Sequence, residues 1–201
     1  MLKYLVLMMV ALSPVASLAQ PEIVVLGDSI SASHGMRMEQ GWVALLQSRM
    51  AVAGSTYRLH NESISGETSA GGLARLGDIL AARKPAWVLI ELGVNDGLRG
   101  LSVTALKANL SKIIERVRKA GGQVMLLGMK VPSNYGKHYI DQFYQVYPQL
   151  SEQLDVPLLP YILEDIADNP QLMQVDGLHP NAKAQPFIAD KIETALFPLL
   201  K

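Results

Sequence analysis

Cysteine is absent from the 201 residues. That excludes disulfides, Cys-ligated zinc, a thiol nucleophile and lipid attachment at a processed Cys. Neither charge dominates: 18 basic side chains face 18 acidic ones, for a formal net charge of +0. No basic block or Arg-rich stripe interrupts the chain, so nucleic acid is not expected as a partner. Aromatic residues make up only 6%, which argues against the stacked aromatic platforms that sugar-binding surfaces favour. The sequence also lacks G-x-S-x-G, the strained turn that displays the nucleophile of the common α/β-hydrolases. Low-complexity segments, internal repeats and Pro/Gly/Ser-rich linkers are missing too, and one domain is expected.

An apolar run opens the chain, "MLKYLVLMMVALSPVASLAQ", with a single Lys3 before it and small residues at Ser17 and Ala19. Its form is that of a secretory signal, too short for a membrane span. We expect residues 1–19 to be removed, a mature chain starting near Gln20, no membrane span afterwards, and a periplasmic or secreted location. The 49% hydrophobic content then has to supply a core large enough to stand without covalent staples.

Past the leader, short apolar runs alternate with longer amphipathic ones. Strands are expected at Ile23–Leu26, Tyr57–Asn61, Trp87–Leu92, Val124–Leu127 and Pro157–Leu159, most of them continuously apolar, as in strands covered on both faces. Helices are expected at Trp42–Ala53, Thr68–Arg83, Ser102–Ala120, Tyr139–Leu154 and Ala182–Leu199. The third is the clearest: Val103, Leu106, Leu110, Ile113, Ile114 and Val117 share one face, Ser102 can cap its start, and Gly121–Gly122 can stop it. Strand and helix in repeated alternation predict an α/β fold, a three-layer αβα sandwich around a doubly wound, five-stranded parallel sheet.

In such a sheet the loops at the carboxyl ends of the strands lie together and hold the ligands. The first strand runs into "GDS" with Ser29. The second is followed by "NESISGETSAGG" with Gly66, the third by "GVNDGLRG" with Asn95, and "DGLHP" supplies Asp176 and His179 before the last helix. Each has a plain alternative. Gly, Asp and Ser are ordinary turn formers, "NDG" is a routine turn, Thr68 can be a helix cap, and Asp28 and Asp96 can tie loops to backbone. His34, His60 and His138 have no acidic residue three positions earlier and read as surface or rim residues. Taken together, however, the four segments hold every part of a serine hydrolase. Ser29 offers a hydroxyl, His179 a base, Asp176 a carboxylate to orient it, and the Ser29 N–H, the Gly66 N–H and the Asn95 amide are donors for an oxyanion.

The same blocks, with "ISGETSAGGLARL", "WVLIELGVNDGLRG" and "LMQVDGLHPN" around them, resemble the SGNH (GDSL-type) hydrolases over almost the whole chain after the leader. The resemblance implies a flavodoxin-like fold and an esterase or thioesterase acting on small acyl substrates such as acyl-CoA thioesters, lysophospholipids and aryl esters. It implies Ser29 as nucleophile, His179 as general base, Asp176 as its orienting residue, and Ser29, Gly66 and Asn95 as the oxyanion hole. It also places the acyl chain beside the "KVPSNYG" loop, with Val131 and Pro132 as groove lining. No cofactor or metal is needed, and a monomer is expected. Two residues depart from the usual pattern. Glu67 stands where Asp is frequent, which could shift the packing beneath Gly66, and Val131 is smaller than the expected Leu. A short-chain aryl esterase or carbohydrate deacetylase on the same fold is the nearest alternative, and a non-catalytic binding domain a more distant one.

Overall fold

The computed structural model describes residues 20–200, so the expected leader at 1–19 lies outside the described residues. Strands β1 (Glu22–Gly27), β2 (Arg58–Asn61), β3 (Trp87–Glu91), β4 (Gln123–Leu127) and β5 (Leu158–Leu159) form a five-stranded sheet in the order β2-β1-β3-β4-β5. Every pairing is parallel. Continuous apolar sequence is the reason: Ile23 to Leu26 and Val88 to Ile90 have at most 1% of their surface exposed, a burial that only cover on both faces provides.

The helices are α1 (Trp42–Val52), α2 (Ser69–Arg83), α3 (Val94–Leu98), α4 (Val103–Lys119), α5 (Lys137–Leu154) and α6 (Gln185–Leu196). Helix α1 packs on α6, while α2 packs on α4 and α4 on α5. These are the two outer layers of the expected sandwich. The Ser102 hydroxyl accepts the Ala105 N–H at 3.3 Å, and the apolar stripe of α4 is buried from Leu106 to Val117. Thr68 caps α2 through the Gly71 N–H at 3.2 Å.

Differences from the expected elements are local. The "NDG" turn is instead the short helix α3, which follows Gly93 at a φ of 126°. A backbone reversal at Gly93 swings the chain from the strand straight into a helical turn, and propensity alone gives no sign of it. The last helix begins at Gln185, with Pro186 in its first turn where a missing N–H costs nothing, and its tail tightens into a 3-10 turn at Phe197–Leu199. Helix α5 starts at Lys137, two residues earlier than expected, and runs through Pro148.

The chain leaves β1 toward β2 on one side and returns to β3 on the other. The carboxyl ends of β1 and β3 therefore flank the point where the winding reverses, the crevice in which open α/β sheets bind ligands. We expect Leu110→Ala, at a fully buried position on α4, to cost about 2–5 kcal/mol of stability, read from urea unfolding midpoints at unchanged slope.

Candidate active site

Immediately after β1, Asp28 and Ser29 are carried over the sheet edge by a tight turn. The Asp28 carbonyl accepts the Ala32 N–H at 2.9 Å, and the Ser29 carbonyl accepts the His34 N–H at 3.0 Å. Ser33 adopts a φ of 61°, an uncommon conformation for a residue with a side chain. Ser29 is left 8% exposed at the mouth, while Asp28 beneath it is fully buried.

The loop before α6 comes to meet it. Met173 bridges to Pro180, and the Gln174 N–H donates to the His179 carbonyl at 2.7 Å, closing a compact turn from 174 to 179. The Gln174 side-chain amide also donates to the His34 carbonyl at 2.7 Å, which ties this loop to the Ser29 turn. The result is a continuous chain of contacts: Ser29 Oγ lies 2.9 Å from His179 Nε2, and His179 Nδ1 lies 2.7 Å from Asp176 Oδ2. The other Asp176 oxygen accepts the backbone N–H groups of Leu178 and His179 at 2.9 and 3.0 Å. Partial burial pushes the Asp176 carboxyl up, but the His179 side chain and these two N–H groups outweigh it and hold the group at about 2. Asp176 is thus ionised wherever the imidazole can change its charge, and it fixes Nδ1 as a protonated nitrogen, leaving Nε2 to face Ser29.

Gly66 and Asn95 approach from the opposite side. Gly66 has a φ of 79°, a conformation glycine adopts without strain. Among the described residues, neither its N–H nor that of Ser29 donates to a protein acceptor. Asn95, on α3, donates its amide hydrogens to Asp28 Oδ2 at 3.1 Å and to the Glu67 carbonyl at 3.0 Å. The Glu67 carboxylate is drawn to Arg75 Nε at 2.6 Å, and Thr68 does the capping. Asp96 anchors α3 to the start of α2, accepting the Ser69 N–H at 2.8 Å and the Ser69 hydroxyl at 2.6 Å.

Beside Ser29 and His179 opens a cavity of about 480 Å³ lined by Val131, Pro132, Met129, Ile140, Leu163 and Met173, within the size range of small-molecule sites. Val131 and Pro132, the candidates for groove lining, both stand on its wall. Lys130 shares the wall, its ammonium 4.5 Å from the centre of the Tyr161 ring and 5.1 Å from that of Tyr144, with Glu164 at 3.7 Å. The three further histidines divide. His138 is exposed. His60 is partly buried on β2 near Glu22, at 3.2 Å, so it is not a rim residue. His34 is at the surface, yet its ring lies 4.4 Å from that of His179. The sequence reading missed this contact, because nothing in the local pattern of an exposed turn histidine shows which loop will fold over it. For Asp28 the plain alternative is a tie to backbone, and the Ile30 N–H at 3.1 Å is such a tie. The structure adds a side-chain partner, Asn95, and a fully buried neighbour, Glu91.

A family model described as the GDSL-like lipase/acylhydrolase family matches residues 25–185. The esterase TesA of Pseudomonas aeruginosa is 48% identical over 182 residues, 90% of each chain. The thioesterase 1/protease 1/lysophospholipase L1 of Escherichia coli K12 is 43% identical over 182 residues, covering 90% of this chain and 86% of that one. The crystal structure of TesA superposes with a TM-score of 0.86 at 49% identity, covering 90% of this chain and 100% of the other. With its fold, its loops and its sequence in agreement, the chain belongs to the GDSL-like lipase/acylhydrolase family.

Proposed function

We propose that the protein hydrolyses carboxylic ester and thioester bonds of small acyl substrates through an acyl-enzyme on Ser29. The observation that carries this reading is the contact of Ser29 with His179 at 2.9 Å, continued to Asp176 at 2.7 Å. His179 Nε2 takes the Ser29 proton as Oγ bonds to the carbonyl carbon. The tetrahedral oxyanion forms against the Ser29 and Gly66 N–H groups and the Asn95 amide, and the His179 proton goes to the departing alcohol or thiol. Water then enters, gives its proton to His179, and releases the acid by the same steps in reverse order.

Asn95 must change partners during this cycle, because both its amide hydrogens are engaged in the free protein. A charged oxyanion is a stronger acceptor than the neutral Glu67 carbonyl. The second hydrogen stays on Asp28 and keeps the amide plane fixed. This donor strengthens as charge develops, which is the condition for lowering the barrier and not merely tightening binding.

The apolar part of the wall, Met129, Val131, Ile140, Leu163 and Met173, beside the charged Lys130, Glu164, Asp165 and Asp168, offers a path for acyl chains longer than acetyl and so favours esterase or thioesterase action over deacetylation of carbohydrate. The leader-like form of residues 1–19 supports export to the periplasm or beyond. Among the described residues no helix is long and apolar enough to cross a membrane. We read the protein as a monomer.

Initial rates on nitrophenyl esters from acetyl to palmitoyl test the reading, with Ser29→Ala alongside. The expected result is a maximum above four carbons and a loss of at least about a thousandfold in the variant. Retention of activity in Ser29→Ala removes Ser29 as nucleophile, and a steep fall beyond short chains turns the assignment to the short-chain or deacetylase alternative.

Asp176 also sets an acid limit on the fold. Its folded value of about 2 lies below the ordinary 3.8, so the stability it contributes is complete above about pH 4 and is lost as pH falls toward about 2. Acid unfolding followed by circular dichroism is expected to be shallower in Asp176→Asn across that window. Identical curves would show that the carboxylate gains nothing on folding.

A further inference from the structure

Glu91 ends β3 directly beneath the nucleophile turn, and no step above uses it. It is fully buried. One of its oxygens accepts the Asp28 N–H at 3.1 Å and the Ser31 hydroxyl at 2.7 Å, while its other oxygen has no donor among the described residues. The sequence makes room for it: a Cβ on Gly27 would lie 2.7 Å from the Glu91 carboxylate. Asp28, equally buried, accepts the Ile30 N–H and the Asn95 amide, each at 3.1 Å. Two buried carboxyls thus lie on adjoining strand ends, close enough to act on each other, and among the described residues neither is paired with a Lys or Arg.

Two negative charges in that position, one with an unpaired buried oxygen, are too costly to coexist. One proton shared between the two carboxyls removes the conflict, as in other carboxyl pairs held close together. Glu91 is the member that keeps it. Each carboxyl accepts one backbone N–H at 3.1 Å, Glu91 from Asp28 and Asp28 from Ile30. But Glu91 has one oxygen without a donor, no amide donor and no imidazole acting on it, whereas Asp28 also accepts the Asn95 amide and feels the charge of His179. Burial and the Asp28 charge push the Glu91 carboxyl well above the ordinary carboxylate range. Burial raises Asp28 only to about 6, since the Ile30 N–H, the Glu91 side chain, His179 and Asn95 all oppose it. Tyr147, on which Glu91, Asp28 and the buried Asp96 all act, donates to the Leu92 carbonyl at 2.9 Å, and burial pushes its hydroxyl well above the ordinary value, so it is neutral.

We propose that Glu91 is a positioning residue that acts as a neutral carboxylic acid, sharing its proton with the Asp28 carboxylate so that Asp28 holds the Asn95 amide aimed at the oxyanion. The chain runs from a buried acid, through a buried carboxylate, to the donor that meets the reacting oxygen. It rests on the reading of Asn95 as an oxyanion donor given above. Glutamine can imitate the neutral acid, since it accepts through its carbonyl and donates through its NH₂. Methionine has a similar length and can do neither.

The test compares Glu91→Gln and Glu91→Met by steady-state kinetics on a nitrophenyl ester, with circular dichroism and thermal unfolding to establish that each is folded. Glu91→Gln is expected to keep kcat within about threefold. Glu91→Met is expected to lose about tenfold or more in kcat with KM nearly unchanged. Its acid limb should move to higher pH, because Asp28 loses a donor that favours its charged form. A Glu91→Gln variant as impaired as Glu91→Met, or a folded Glu91→Met with full kcat, overturns the proposal. Infrared difference spectra of wild type against Glu91→Gln at neutral pH give an independent readout: the carbonyl stretch of a protonated carboxyl group must be present in the wild type, and its absence overturns the proposal by itself. Asn95→Ala separates this inference from the one beneath it. If Asn95→Ala leaves kcat intact, the oxyanion reading of Asn95 fails, and with it the positioning role of Glu91. If it lowers kcat, adding Glu91→Met must cost little more; a full additive loss shows that Glu91 does not act through Asn95.

Discussion

The parallel pairing of β1 with β3, which sets Gly27 opposite Glu91, is the constraint on which the site depends. It places the carboxyl ends of two neighbouring strands side by side at the reversal of winding, so that Ser29 leaves one and Asn95 leaves the other. It also forces a close approach: only a residue without a side chain fits at Gly27 against the Glu91 carboxyl. The polar contacts beneath the nucleophile are then built outward from these two strands, and the loop before α6 is laid over them. The Glu91 carboxyl receives the Asp28 N–H, Asp28 receives the Asn95 amide, and the loop bearing His179 closes over the top through the bond of Gln174 to the His34 carbonyl.

The site joins two electrostatic environments of opposite character. Asp176 stands partly in solvent, and its several hydrogen bonds keep it ionised far into acid. Asp28 and Glu91 are sealed from water, and there the same type of group is pushed upward. One carboxylate therefore stays charged to orient a base, while the buried pair holds a proton and organises donors. The difference arises from burial and partners alone, the same chemical group serving two ends.

Much of this was legible in the chain. Strands β1, β3 and β4 could be read because strands buried on both faces are continuously apolar, and α4 because its apolar residues recur at helical spacing with a serine cap. Ser29, Gly66, Asn95, Asp176 and His179 could be read because a parallel sheet sends its loops to one edge, where four weak motifs reinforce one another. What stayed hidden depends on tertiary contact. Glu91 looks like the polar end of a strand until the fold closes around it. His34 looks like an exposed turn residue until the loop of His179 lies over it. Helix α3 arises from the reversal at Gly93 and has too few residues to carry a periodic signal.

The most direct test of the account is the intact mass of the protein after exposure to a reactive fluorophosphonate at neutral pH, followed by peptide mapping. The account requires one adduct per chain, carried by Ser29, absent in Ser29→Ala and formed far more slowly in a folded His179→Ala. Labelling at another residue, or labelling of Ser29 at an undiminished rate without His179, would contradict the claim that His179 activates this serine.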